Sequence, residues 1–123
     1  MQVHLGIPLT AQIIESYGDG YFKVAGQRYD QAIAVKPDAT SLWSGTPELS
    51  DEAFEEAIGL LSDCEVVLLG TGKRSLFVSP ARKAKLKAKG LVIDSMDSGA
   101  ACRTYNVLLG DGRKVGALLL PNL

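Results

Sequence analysis

The sequence predicts a single α/β domain over residues 1–123, with an N-terminal antiparallel β-meander packed against a β-α-β-α-β parallel-sheet core. Three observations carry this. Short glycine-punctuated strand patterns fill residues 13–44. The continuous apolar run Glu65-Val66-Val67-Leu68-Leu69, bounded by Gly70, reads as a strand covered on both faces. From there, helical and strand periods alternate to the end of the chain.

Ile13–Tyr17 and Tyr21–Val24 flank Gly18-Asp19-Gly20, the composition of a hairpin turn. Gly26 marks a second turn before Gln27–Tyr29, and Ala32–Lys36 forms a further strand closed by Pro37-Asp38. Residues 40–44 add a short strand, with Trp43 expected in the core. Ser50 is placed to cap a helix whose first turn is acidic, and Leu49 and Phe54 have hydrophobic-staple spacing. Phe54, Ala57, Ile58 and Leu61 make its buried stripe, leaving Glu55 and Glu56 on a solvated face.

Glu65–Leu69 is the expected central strand. After the Gly70-Thr71-Gly72-Lys73 turn and the extended piece Leu76-Phe77-Val78, Ser79-Pro80 starts a second helix that Gly90 stops. Ala81, Ala84 and Ala88 line one side, which suggests close packing on the sheet, while Leu86 points the other way. Leu91–Ile93 follows as a strand. Ser98 is placed to cap a third helix ending at Gly110, and Asp111-Gly112 turns into the final strand Lys114–Leu120. Right-handed crossovers make the last three strands a parallel sheet, with the meander as a second layer.

The chain has 13 basic and 14 acidic side chains, so general binding to nucleic acid or to an anionic membrane is not expected and any charge effect must be local. The second helix is the main local asymmetry: Arg82, Lys83, Lys85, Lys87 and Lys89 with no acid among them. It is either a solvated face favoured by the helix dipole or a docking surface for an acidic partner or a lipid headgroup layer, so peripheral membrane contact through Arg82–Lys89 is one expectation. Cys64 and Cys102 form no metal-type spacing and His4 is the lone histidine; no metal or cofactor is expected, and reduced thiols fit a cytoplasmic protein. Met1–Pro8 has no signal-peptide character, and no apolar run is long enough to span a bilayer.

The turns after the two parallel strands, Gly70–Lys73 and Met96–Asn106, open on one sheet edge, where open α/β sheets bind ligands. Gly70-Thr71-Gly72-Lys73-Arg74 fails the Walker A and dinucleotide patterns. Two readings stand: an anion cradle formed with the start of the Ser79 helix, or glycines that only shape a turn. On the third helix, Ala101, Cys102, Tyr105, Leu108 and Leu109 share one arc, so Cys102 reads as a small buried residue rather than a nucleophile. Arg103 and Asn106 lie outside that arc. Arg103 either pairs with Asp97 or orients a ligand carboxylate or a partner's backbone.

Ser16–Phe22, Val66–Lys73 and above all Met96-Asp97-Ser98 with Ala100-Ala101-Cys102-Arg103-Thr104-Tyr105-Asn106 resemble the family of mitochondrial complex I assembly factor 3 and its prokaryotic relatives, across about Ile13–Pro121. The resemblance implies a compact three-layer α/β domain, no established enzymatic activity, and action by protein contact in building the membrane-associated respiratory NADH dehydrogenase. Lacking a mitochondrial presequence, the chain resembles a bacterial member. The expected function is that of a non-enzymatic accessory protein, with Gly70, Thr71, Gly72, Lys73, Asp97, Cys102, Arg103 and Asn106 as candidate ligand- or partner-binding residues. The alternative is a binder of, or enzyme acting on, a small anionic ligand in the crevice between the two turns.

Overall fold

The computed structural model describes residues 11–122, so His4 and Met1–Pro8 lie outside the described residues. The elements are β1 (Ile14–Gly18), β2 (Tyr21–Val24), β3 (Gln27–Tyr29), β4 (Ile33–Lys36), β5 (Ala39–Leu42), α1 (Asp51–Leu60), β6 (Val66–Gly70), α2 (Pro80–Ala88), β7 (Ile93–Met96), α3 (Ser98–Gly110) and β8 (Val115–Leu119). The meander divides. Strands β1-β2-β3 form their own antiparallel sheet, while β4 and β5 join the core in a five-stranded sheet of order β5-β4-β8-β6-β7. β6 pairs parallel with β7 and β8, and β4 pairs antiparallel with β5 and β8.

The middle strand is therefore β8 and not the expected β6. After β7 the chain returns over β6 through α3, so α2 and α3 cover opposite faces. Alternation along each strand feeds two cores. Ala34, Val67, Leu69, Leu118 and Leu120 pack with α1 and α2, whereas Ile33, Val35, Leu68, Ala117 and Leu119 pack with α3 and the small sheet. The result is three layers: two helices, the five-stranded sheet, and α3 with the β1–β3 sheet.

Local chemistry explains the helix ends. Ser50 and Ser79 cap α1 and α2 through their side chains, with Pro80 in the first turn of α2. Asp97, not Ser98, is the N-cap of α3: its carboxylate accepts the Ala100 N–H at 2.8 Å. Leu86 is the one buried residue of α2, and Ala81, Ala84 and Ala88 face solvent, reversing the expected packing. The helix stop accounts for this. Gly90 adopts φ +92, the Leu91 N–H reaches the Leu86 carbonyl at 2.9 Å, and both leucines are buried in one cluster. This is a Schellman stop with its apolar contact. In α3 the left-handed residue is Gly112, and Gly110 remains inside the helix. Trp43 is buried, and its Nε1–H donates to the Ala53 carbonyl at 2.8 Å.

Candidate functional site

The carboxyl edge of the parallel strands is stitched shut at its centre. Gly70 ends β6 where a Cβ would lie 2.9 Å from the Ser98 Cα and 3.0 Å from the Ala101 Cβ, so its lack of a side chain lets α3 lie directly on the strand. The buried Ser98 hydroxyl accepts the Gly72 N–H and donates to the Leu120 carbonyl, both at 2.8 Å. The Ser98 N–H in turn donates to the Gly72 carbonyl at 2.8 Å. One serine thereby joins the chain beyond β6, the start of α3 and the chain beyond β8.

Thr71 is buried within this seam. Its N–H donates to the Met96 carbonyl at 3.0 Å, and its hydroxyl donates to the Arg74 carbonyl at 2.6 Å and accepts the Leu76 N–H at 2.9 Å. The N–H groups of Thr71 and Gly72, which an anion cradle would need, are thus committed within the protein. Lys73 points outward and, with Arg74, Pro47, Thr71, Leu76 and Asn122, lines a shallow hollow of about 530 Å³.

Asp97 and Arg103 gather elsewhere on the edge. Arg103 Nη1 donates to the Tyr17 hydroxyl at 2.5 Å. No ion pair joins Arg103 to Asp97, whose carboxylate is occupied in capping α3. The three side chains meet over Gly99: a Cβ there would lie 3.2 Å from the Tyr17 ring and 3.3 Å from both the Arg103 guanidinium and an Asp97 carboxylate oxygen. This cluster presents a cation, an anion and a phenol over the buried Gly99, held by the α3 N-terminus and β1.

The remaining candidates serve the fold. Asn106 clamps the backbone of Ile14, with Oδ1 accepting its N–H at 3.0 Å and Nδ2 donating to its carbonyl at 2.8 Å. Cys102 is buried, and burial pushes its thiol up to about 12, which keeps it protonated and unreactive at neutral pH. The structure therefore brings Asp97 and Arg103 together with Tyr17 and sets Lys73 among a different group of residues. Ser98, Gly99 and Tyr17 were not singled out as site residues. Tyr17 lies in the Ser16–Phe22 run that carries the resemblance, which is the sequence signal for it; the long-range partners of Ser98 leave no local signal.

The comparisons agree with this architecture. An uncharacterized protein of Rhodobacter capsulatus is 32% identical over 108 residues, 88% of this chain and 83% of that protein. NADH dehydrogenase [ubiquinone] 1 alpha subcomplex assembly factor 3 of Bos taurus is 30% identical over 113 residues, 90% of this chain but only 61% of the assembly factor. The solution structure of a Bordetella pertussis protein described as a Mth938-like domain superposes with a TM-score of 0.80 at 30% identity, covering 99% of this chain and 93% of that one. Among the described residues no helix is long and apolar enough to cross a membrane. Residues 14–120 match the model of the protein family of unknown function DUF498/DUF598, and the chain belongs to that family.

Proposed function

We propose that this protein is a non-enzymatic accessory factor that binds other proteins during assembly of a membrane-associated respiratory complex, acting from the cytoplasm. The observation that carries the reading is the cluster of half-buried Tyr17 and Asp97 with exposed Arg103 over Gly99, which offers hydrogen-bonding groups to a partner's backbone or carboxylates. Kinship with the assembly factors, at 30% identity for the bovine protein, supports the same direction. The thiol of the site argues against a nucleophilic role: Cys102 is buried and its pKa is raised to about 12, chiefly by that burial.

Affinity purification of the full chain in mild detergent tests this. Subunits of a membrane complex should co-purify with the wild type and be lost with Arg103→Glu. Intact respiratory complexes in a deletion strain, together with no recovered subunit, would overturn the reading.

A second reading rests on the Lys73–Arg74 hollow, where two cations line a concavity of about 530 Å³ with no acidic side chain among its described lining residues. In this reading it receives a small anionic ligand. A ligand at 100 times its Kd adds about 2.7 kcal/mol of stability. A saturable thermal shift with inorganic phosphate or a nucleotide, abolished by Lys73→Ala, would favour it over the protein-partner reading.

A further inference from the structure

Between Val66 and Ile93 the chain carries seven cations and no carboxylate, more than half of its 13 lysines and arginines. The fold displays most of that stretch as the turn after β6, the loop to Ser79 and helix α2. Two of the seven are engaged by α1: Arg82 meets Asp51 at 3.0 Å and Lys89 meets Glu55 at 2.5 Å. Among the described residues, Lys73, Arg74, Lys83, Lys85 and Lys87 have no ion-pair partner. The α1 carboxylates that face α2 are thus the ones already neutralised.

Within the same stretch stands Phe77, 84% exposed and the most exposed large hydrophobic side chain among the described residues. Its neighbours Leu76 and Val78 turn into the core, and the loop is tied down where the Ser95 hydroxyl donates to the Leu76 carbonyl at 2.9 Å. Phe77 is therefore held outward by an anchored loop. A ring so placed leaves most of its apolar surface in water.

We propose that the Lys73–Phe77 loop and helix α2 dock this protein peripherally on an anionic phospholipid surface, with Phe77 entering the headgroup layer and these five cations facing lipid phosphates. The form of the apolar surface favours a bilayer over a protein partner. It is one protruding ring among cations, not a contiguous patch, and a bilayer receives a lone wedge without a matching socket. Basic side chains near an anionic leaflet add attraction one by one, screened by salt. The inference goes beyond the protein-partner reading and stands whether or not a partner is found.

Flotation of the full chain with vesicles of phosphatidylcholine alone, or with phosphatidylglycerol added, tests it. Trp43 is the only tryptophan and is buried, so a Phe77→Trp variant reports on the loop over a constant background. The protein should float with the anionic vesicles only, dissociate at high salt, and show blue-shifted emission in the Phe77→Trp variant. Phe77→Ser should weaken partitioning about tenfold, and the pair Lys85→Glu with Lys87→Glu at least as much, about tenfold or more. These positions are exposed, so unchanged circular dichroism confirms that each variant is folded. Absence of flotation on anionic vesicles, equal partitioning of Phe77→Ser and wild type, an unshifted emission in the bound state, or retention on an acidic polypeptide in place of vesicles would each overturn it.

Discussion

Asn106 engages both backbone groups of Ile14, accepting its N–H at 3.0 Å and donating to its carbonyl at 2.8 Å, so a helix side chain pairs with the start of β1 much as a neighbouring strand would. The Tyr105 hydroxyl adds a donation to the Gln12 carbonyl at 2.9 Å. Two consecutive residues of α3 thus hold the segment on which Tyr17 rides.

Replacing Asn106 removes a donor and an acceptor whose partners are half-buried. Asn106→Ala should lower stability by about 1–3 kcal/mol. Asn106→Asp should be no better at neutral pH, since its carboxylate would face the Ile14 carbonyl. Urea denaturation checks both. An Asn106→Asp variant as stable as the wild type would show that the Nδ2 donation contributes nothing.

Ser98 has two buried partners, the Gly72 N–H and the Leu120 carbonyl. Ser98→Ala leaves both unpaired, and about 2–4 kcal/mol should be lost. Native-state hydrogen exchange gives a sharper readout, because the Gly72 amide should lose protection in the variant by more than amides in β4.

At Gly70 the constraint is space. An added methyl group would come within 2.9 Å of both Leu119 Cδ2 and the Ser98 Cα, and backbone cannot swing aside as a side-chain tip can. Gly70→Ala should therefore cost about 1–3 kcal/mol through displacement of α3. Its spectroscopic mark would be altered near-ultraviolet circular dichroism from Tyr105 on the same helix. Unchanged stability would mean that the helix can lift away from β6 freely.

The caps at Ser50 and Ser79 were legible because capping is local: hydroxyl, acidic or proline first turn, then an apolar period. The third cap was displaced by one residue because Asp97 and Ser98 both have capping side chains. What assigns the role to Asp97 is the recruitment of Ser98 by Gly72 and Leu120, twenty or more positions away. Leu86 was opaque for a related reason, since the alanine count outweighed a single leucine until Gly90 and Leu91 closed the helix over it. Strand order was not legible, because a crossover pattern fixes handedness but not which side of β6 the last strand takes. The candidate edge was located from the turns, whereas its division between Lys73 and the Tyr17–Asp97–Arg103 group depends on where α3 lies.

Burial raises the Cys102 thiol to about 12 and the Cys64 thiol to about 11, from an ordinary value of 9.0. Both folded values lie above the unfolded one. Their contribution is therefore fully present below pH 9.0, declines as the unfolded thiols ionise, and is exhausted once the folded pKa values are passed. Stability should fall on the alkaline side by at most about 1.4 kcal/mol per pH unit for each thiol, and Cys102→Ala should make that fall shallower. Near neutral pH, iodoacetamide should modify neither cysteine in the native protein and both in urea; rapid native labelling of Cys102 would contradict its burial.

Arg82 and Lys89 both bridge α2 to α1, yet their contacts differ in kind. The Arg82 guanidinium lies 4.7 Å from the centroid of the Phe54 ring, donates to the Leu49 carbonyl and meets Asp51 at 3.0 Å, with only 30% of its side chain exposed. Lys89 meets Glu55 alone, on the open surface. An exposed pair is screened by water and salt, while a planar cation stacked on a ring and bonded to a carbonyl is not so easily replaced. Arg82→Ala should cost about 1–2 kcal/mol, and Arg82→Lys should recover little of it because the ammonium cannot reproduce the stacked geometry. Lys89→Ala should leave the denaturation midpoint unchanged within error. If the two alanine variants proved equally stable, the attachment of α2 would rest on Leu86 alone.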